Sequence, residues 1–213
     1  SEYLKPVLQV CDSFDEIDFN KLPNSFVIKC NHGCKWQYII KNKFELLNNK
    51  QKFDNVKSQM TGWLNQKFCY FAGFEMQYRD ITPKIIIEEL VREDINTPSC
   101  ELTLWCFKGK AKYIIKIHPN HTINVWNENL EPVDETLTFY ERNVKMPADE
   151  LIEQACKLSE KLSKDFNFVR VDWLICKNCL YFGELTFTPN SGFMKFNNKK
   201  TNIELGKLLK LER

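Results

Sequence analysis

Two hydrophobic periods alternate along the chain, and the places where one gives way to the other outline the elements. Phe26-Val27-Ile28-Lys29, introduced by Leu22-Pro23-Asn24, is a short β-rich run. A polar stretch with one glycine follows over residues 31–37, then Tyr38-Ile39-Ile40. Together they predict a hairpin with a mobile tip. Phe53, Val56, Met60, Trp63 and Leu64 then recur at helical spacing and predict an amphipathic helix over 53–66. Ile85-Ile86-Ile87 is wholly apolar, β-branched and short, and ends in Glu88-Glu89, which fits a buried strand better than a helix.

The second half repeats the alternation. Residues 102–117 read as two strands split by a turn at Lys108-Gly109-Lys110. A helix starts near Pro147, a residue suited to a first helical turn. Its stripe is Leu151, Ile152, Ala155, Leu158 and Leu162, with Asp149 and Glu150 at the positive N-terminal end. Strands follow at 168–175 and 180–187 around the polar turn Lys177-Asn178, and a last amphipathic segment over 203–211 reads as helix. Strands and helices mix without strict βαβ alternation, which points to an α+β fold.

Composition narrows the class. The 213 residues are 43% apolar, enough for one domain or two small subdomains sharing a core. Charged residues make up 27%, yet the net charge is only +2, which argues against a nucleic-acid partner. The basic run at 195–200 is explained as well by a solvated loop as by a phosphate patch. Nine cysteines, an odd number at irregular spacing, do not make a disulfide framework, so the chain reads as cytoplasmic with reduced thiols. No apolar run approaches the ~18 residues of a transmembrane helix, and no signal peptide is visible. The chain begins with Ser1 rather than Met, as a processed or excised piece of a longer protein would. Oligomeric state leaves no mark in the sequence.

The chemistry concentrates in a few polar residues set within apolar strands. Arg170, Asp172, Glu184 and Thr186 interrupt the last two strands. A charge there is costly unless it is paired or bound to a metal. Two readings stay open: a magnesium site on Asp172 and Glu184, or a structural ion pair of Arg170 with either carboxylate. Strand register constrains the first. A two-residue turn at Lys177-Asn178 would pair Asp172 with Gly183 and send Glu184 to the other face, whereas a three-residue loop or a one-residue bulge would bring the carboxylates together.

Lys29, at the end of its strand, is a candidate phosphate contact or simply a solvated strand end. Asn31-His32-Gly33 offers backbone N–H groups of the kind that cradle phosphates. Glu88 or Glu89 could accept from a ribose or an adenine amino group, or could be an ordinary surface strand end. Cys176-x-x-Cys179 and the trio Cys30, His32, Cys34 suggest zinc, but the first pair flanks a turn at the far end of the carboxylate hairpin. His118 and His121 could move protons or be incidental. No G-x-S-x-G, Walker loop or G-x-G-x-x-G is present, so a nucleotide would need another architecture.

The order of the segments adds information that no single segment carries. L-P-N-S-F-V-I-K-C-N-H-G (22–33), E-M-Q-Y (75–78), P-K-I-I-I-E-E (83–89), F-K-G-K (107–110), F-V-R-V-D-W (168–173) and Y-F-G-E-L-T-F-T-P-N-S-G (181–192) occur in succession. Together they resemble the TupA-like ATP-grasp family, associated with teichuronopeptide and other surface-polysaccharide biosynthesis. The resemblance implies two α+β subdomains, 1–88 and 89–213, with ATP held between them. It implies Lys29 on ATP, residues 31–36 (Asn31, His32 and Gly33 among them) as a flexible flap, and Glu88, Glu89 and Leu90 as the adenine and ribose hinge. Asp172 and Glu184 would bind Mg2+, with Thr186 or Asn190 as the further ligand, and Arg170 would contact phosphate or an acyl phosphate. The implied reaction is ATP-dependent amide formation between a carboxylate, small-molecule or saccharide, and an amine. The chain departs from the family pattern at Glu101-Leu102-Thr103, where members carry Asp-Tyr-Lys. A glycosyltransferase of the same pathway and a degenerate nucleotide-binding module are the alternatives.

Overall fold

The computed structural model describes residues 2–71, 73–92 and 94–209. Two compact units are formed, Lys5–Val91 and a second made of Ser1–Leu4 with Arg92–Arg213. The division falls after Val91 rather than after Glu88, because Glu89 still belongs to its strand and its N–H donates to Pro6 O. The first residues go with the second unit for a packing reason. Tyr3 meets Trp173 edge-on at 6.1 Å, and its carbonyl accepts from Phe182 N–H at 2.7 Å.

In the first unit, β1 (Val7–Cys11), β2 (Phe26–Cys30) and β3 (Gln37–Ile40) precede α1 (Lys43–Asn48), α2 (Lys50–Leu64), the single turn α3 (Phe68–Phe71) and β4 (Ile85–Glu89). The sheet runs β1-β4-β2-β3, antiparallel throughout. Strict alternation in β2 and β4 buries Phe26, Ile28, Cys30, Ile85 and Ile87 against Val56 and Met60 of α2. Burial pushes the Cys30 thiol up to about 12, so that cysteine is core material. The same alternation leaves Lys29 and Glu88 on the other face. α2 begins ahead of its first apolar residue because Asn49 caps it, accepting from Lys52 N–H. β1 and α1 are invisible to periodicity. Val7 and Val10 of β1 and Phe44 of α1 are exposed, and six residues are too few to show a stripe.

In the second unit, β5 (Cys100–Phe107), β6 (Lys110–Ile117), β7 (Thr122–Asn127) and β8 (Glu141–Arg142) are followed by α4 (Glu150–Ser163), β9 (Val169–Cys176), β10 (Cys179–Thr186) and α5 (Lys199–Leu208). The sheet order is β10-β9-β5-β6-β7-β8, with only β7–β8 parallel. α4 covers one face, packing Ile152 and Ala155 on Leu102, Leu104, Val169, Val171 and Trp173. Its cap is Asp149, which accepts from Ile152 N–H at 3.0 Å, so Pro147 lies ahead of the helix rather than in its first turn. The buried stripe continues through Ser159 and Ser163 while Leu162 turns outward. Ser159 is recruited by chemistry, since its Oγ accepts from Trp173 Nε1 at 2.8 Å. On the opposite face Phe196 and Leu205 cluster with Trp105, Ile115 and Ile123. α5 starts at Lys199, capped by Asn198, earlier than its apolar stripe suggested, and Leu211 lies outside the described residues. Among the described residues no disulfide forms, and no helix is long and apolar enough to cross a membrane.

Candidate functional site

Each unit gathers charged side chains on the sheet face opposite its main helix, α2 or α4. In the second unit they come from the β9–β10 hairpin. Lys177 (φ 49°) and Asn178 (φ 58°) are both left-handed and form a two-residue turn, with Cys176 opposite Cys179. Unbroken, that register would place Asp172 opposite Gly183. A bulge intervenes: Phe182 pairs with Trp173, and the next pair is Glu184 with Asp172, so Gly183 is the extra residue. Glycine is required by close approach, since a Cβ there would lie 2.9 Å from the Asp172 carbonyl oxygen. The bulge sets Glu184 beside Asp172 and Thr186 beside Arg170, all on one face. On the other flank of β9, Thr103 stands opposite Asp172 and Trp105 opposite Arg170.

The four side chains bond to one another. Arg170 grips Asp172 with two donors, Nε to Oδ1 at 2.8 Å and Nη2 to Oδ2 at 2.6 Å. Nη2 also lies 3.2 Å from Thr186 Oγ1 and 3.9 Å from Glu184 Oε1, while Nη1 donates to the Met194 thioether at 3.7 Å. Thr186 Oγ1 stands 3.1 Å from Asp172 Oδ2 and 2.9 Å from Glu184 Oε1, and its single proton serves one carboxylate at a time. Arg170 and Asp172 are 15% exposed and Glu184 is 48% exposed, so one carboxylate is inside and the other opens to water. Burial pushes the Asp172 carboxyl above the ordinary carboxylate range; Arg170 pulls it down and Glu184 adds to the rise. Burial works against the charge of Arg170 too, but Asp172 and Glu184 outweigh it and hold the guanidinium above its ordinary value.

The Arg170–Asp172 ion pair is formed, and Asp172 and Glu184 share a face with one arginine between them. The donors are hard oxygens with negative charge in excess, which fits Mg2+. Among the described residues no group of three or more His, Cys, Asp or Glu side chains could hold a metal. Two carboxylates with a hydroxyl beside them would suit an ion that completes its shell with phosphate oxygens and water. Asn190 does not join them. It sits exposed and left-handed (φ 49°, ψ 51°) in the turn Pro189–Gly192, and among the described residues its side chain makes no hydrogen bond to Asp172 or Glu184.

In the first unit the centre is Glu88, buried at 8% exposure. Its Oε1 lies 2.8 Å from Lys29 Nζ and its Oε2 lies 3.3 Å from Lys5 Nζ. Both carboxylate oxygens are thus engaged by lysines, so Glu88 is not the open acceptor its position suggested. Glu89 points to the opposite face and is exposed, and Leu90 follows half-buried. Lys5 carried no periodic signal, because it precedes an edge strand whose own pattern is weak.

Residues 31–36 are tied down more firmly than a mobile tip. Asn31 N–H donates to Lys84 O at 3.1 Å; its side chain donates to Thr82 O at 3.0 Å and accepts from Lys84 N–H at 2.8 Å. That N–H is already used within the fold. His32 is buried, its Nε2 3.0 Å from the Trp63 carbonyl oxygen at the end of α2, and Trp36 stacks on Trp63 at 6.0 Å. A Cβ on Gly33 would stand 2.4 Å from the Trp36 ring, so this glycine answers to packing. His118 is held as well, with Nε2 2.7 Å from Asn124 Oδ1 and Nδ1 3.8 Å from Cys100 Sγ.

Comparison with known proteins decides the family. The sequence matches the TupA-like ATPgrasp family over residues 1–210. The chain belongs to that family. A search of curated proteins gave no match. Among solved structures, D-alanine–D-alanine ligase from Bacillus anthracis is 19% identical at a TM-score of 0.53, over 98% of this chain and 60% of that one. The same enzyme complexed with ATP gives 0.47 at 19% identity, over 89% and 52%. Phosphoribosylamine–glycine ligase from Thermotoga maritima gives 0.41 at 12% identity, over 86% and 43%. The chain therefore spans about half the length of the structures it matches. The first likeness carries the fold, which is that of the ATP-grasp proteins, of α+β class. In this TupA-like chain the buried Thr103 stands directly opposite Asp172.

Proposed function

We propose that the chain is an ATP- and Mg2+-dependent carboxylate–amine ligase. The observation that carries this reading is the Gly183 bulge, which pairs Asp172 with Glu184 on a face where one arginine cannot neutralise both. Asp172 and Glu184 would hold Mg2+, which would supply neutralisation of phosphate charge. Lys29 takes phosphate oxygens, and Arg170 orients the carboxylate substrate or its acyl phosphate. The substrate carboxylate attacks the γ-phosphorus of ATP, forming an acyl phosphate and releasing ADP. The amine then displaces phosphate and leaves an amide. Thr186 holds the two carboxylates in register through its hydroxyl. The carboxylate is a uronic acid of capsule or another surface polysaccharide, and the step is cytoplasmic. This last part rests on the family's association alone.

Purified chain incubated with ATP, Mg2+, a uronic acid and a panel of amines, followed by ADP release, tests the reading. ADP formed only with both co-substrates supports the ligase. UDP released from a UDP-sugar instead would make it a glycosyltransferase. The buried Thr103 beside Asp172 favours a second reading, a nucleotide-binding module without turnover, in which ATP binds and no ADP appears.

A further inference from the structure

We propose that Trp105 is a substrate-binding residue beside Arg170: its indole N–H and the Nη1 edge of Arg170 together take the substrate carboxylate, and Met194 is the plug that the carboxylate displaces. The inference rests on the reading that the chain is a carboxylate–amine ligase, and it lies wholly within the second unit. Trp105 stands opposite Arg170 across the β5–β9 pair. Cross-strand partners share a sheet face and lie within side-chain reach of each other. Each of the two has a donor without an oxygen acceptor among the described residues. Trp105 is 7% exposed, and its Nε1 is buried with no hydrogen-bond partner. Nη1 of Arg170 meets only the Met194 thioether, at 3.7 Å, whereas Nε and Nη2 are held by Asp172 and Thr186.

A buried donor left without a partner is rare in a folded protein and calls for a physical reason. Sulfur is a weak acceptor for a guanidinium, whose strong bonds go to charged oxygens. Both gaps are therefore filled by one kind of group, an oxygen acceptor, and Arg170 favours a negatively charged one. A carboxylate supplies it and keeps lone pairs for attack on phosphorus. The indole is fixed against Phe168 and Phe196, with ring centroids 5.7 and 5.3 Å away, so its N–H is a preorganised donor. Met194 is the part that can move. It is half-buried against the apolar cluster that contains Trp105, and its side chain is unbranched and flexible. Phe193 just before it is exposed, so the plug lies where the cluster meets solvent. Negative charge on Asp172 and Glu184 opposes an incoming carboxylate, so the titrations below are made with Mg2+ present.

The test is NMR of the indole N–H groups of the full chain, with Mg2+ and a non-hydrolysable ATP analogue, titrated with D-glucuronate, with acetate and, as the uncharged control, with D-glucose. The Trp105 signal is assigned by its loss in Trp105→Phe, which keeps an aromatic ring and removes the donor; thermal melting checks folding. Both carboxylates should move the Trp105 N–H signal downfield and glucose should not. Trp105→Phe should raise the KM for glucuronate in ADP release roughly tenfold and leave the KM for ATP unchanged. Glucuronate-dependent ADP release with an unmoved Trp105 signal, or with an unchanged glucuronate KM in Trp105→Phe, overturns the proposal and leaves the ligase reading intact. A carboxylate-dependent shift with no ADP released for any amine supports the site and removes the ligase reading. A signal moved equally by glucose, or by none of the three, overturns the proposal. Should Trp105→Phe fail to fold, the methyl signal of Met194, assigned by its loss in Met194→Leu, is followed instead. Carboxylates should shift it, and an unmoved signal overturns the plug and the proposal with it.

Discussion

The two sheets solve the same problem with opposite signs. In the first unit two lysines close on one glutamate; in the second, one arginine lies among two carboxylates. Both groups sit on the sheet face opposite the main helix of their unit, α2 or α4, and at Arg170 two carboxylates meet one guanidinium. At Arg170 the two carboxylates leave negative charge in excess, which suits a cation. They also differ in stiffness. Arg170 holds Asp172 with a planar two-pronged grip, whereas lysines present point charges on flexible stems. The lesson is that an ion pair does not by itself exclude a ligand: the charge the pair leaves over sets which ligand would suit the cluster.

The sharpest way to break the comparison is to remove each hub. Arg170→Met leaves Asp172 buried without its partner and should destabilise the chain by about 3–5 kcal/mol in thermal or urea unfolding. A loss no larger than that of a surface pair would show that the cluster is not the stiff one. Next in size, Asp172→Asn removes negative charge while keeping the shape, and should lower Mg2+-dependent ADP release on the order of 10²-fold. Normal turnover in this variant would detach the carboxylates from the reaction. Gly183→Ala probes the bulge, because its Cβ would press on the Asp172 carbonyl. Denaturant titration should show about 1–3 kcal/mol of destabilisation, with Mg2+ affinity falling alongside. The smallest stability change belongs to Glu88→Gln, at about 1 kcal/mol, because its lysines can swing toward water.

Much of this was legible in the chain. The long amphipathic helices and buried strands announced themselves by period, and the carboxylate hairpin by polar residues breaking apolar runs. The turn Lys177-Asn178 and the alternation rule already required a bulge or an odd loop if Asp172 and Glu184 were to meet. Other parts were not legible. β1 is an edge strand with half its apolar side chains in solvent, so Lys5 had no pattern to mark it. Ser159 and Ser163 line the buried side of α4 although neither is hydrophobic, since one is paired with Trp173 and the other is small enough to sit against the sheet.

By itself, the sequence determined the α+β class, the main elements and the residues able to carry charge into a sheet, because period and composition act locally and need no partner, while the order of its motifs carried the family resemblance. Only the tertiary structure decided which charges meet. The choice of Gly183 as the bulged residue, the sharing of Glu88 by Lys5 and Lys29, and the anchoring of His32 on the end of α2 each join positions remote in the chain or turn on a one-residue shift of register. Such contacts arise from packing and hydrogen-bond closure across strands, which no local pattern encodes.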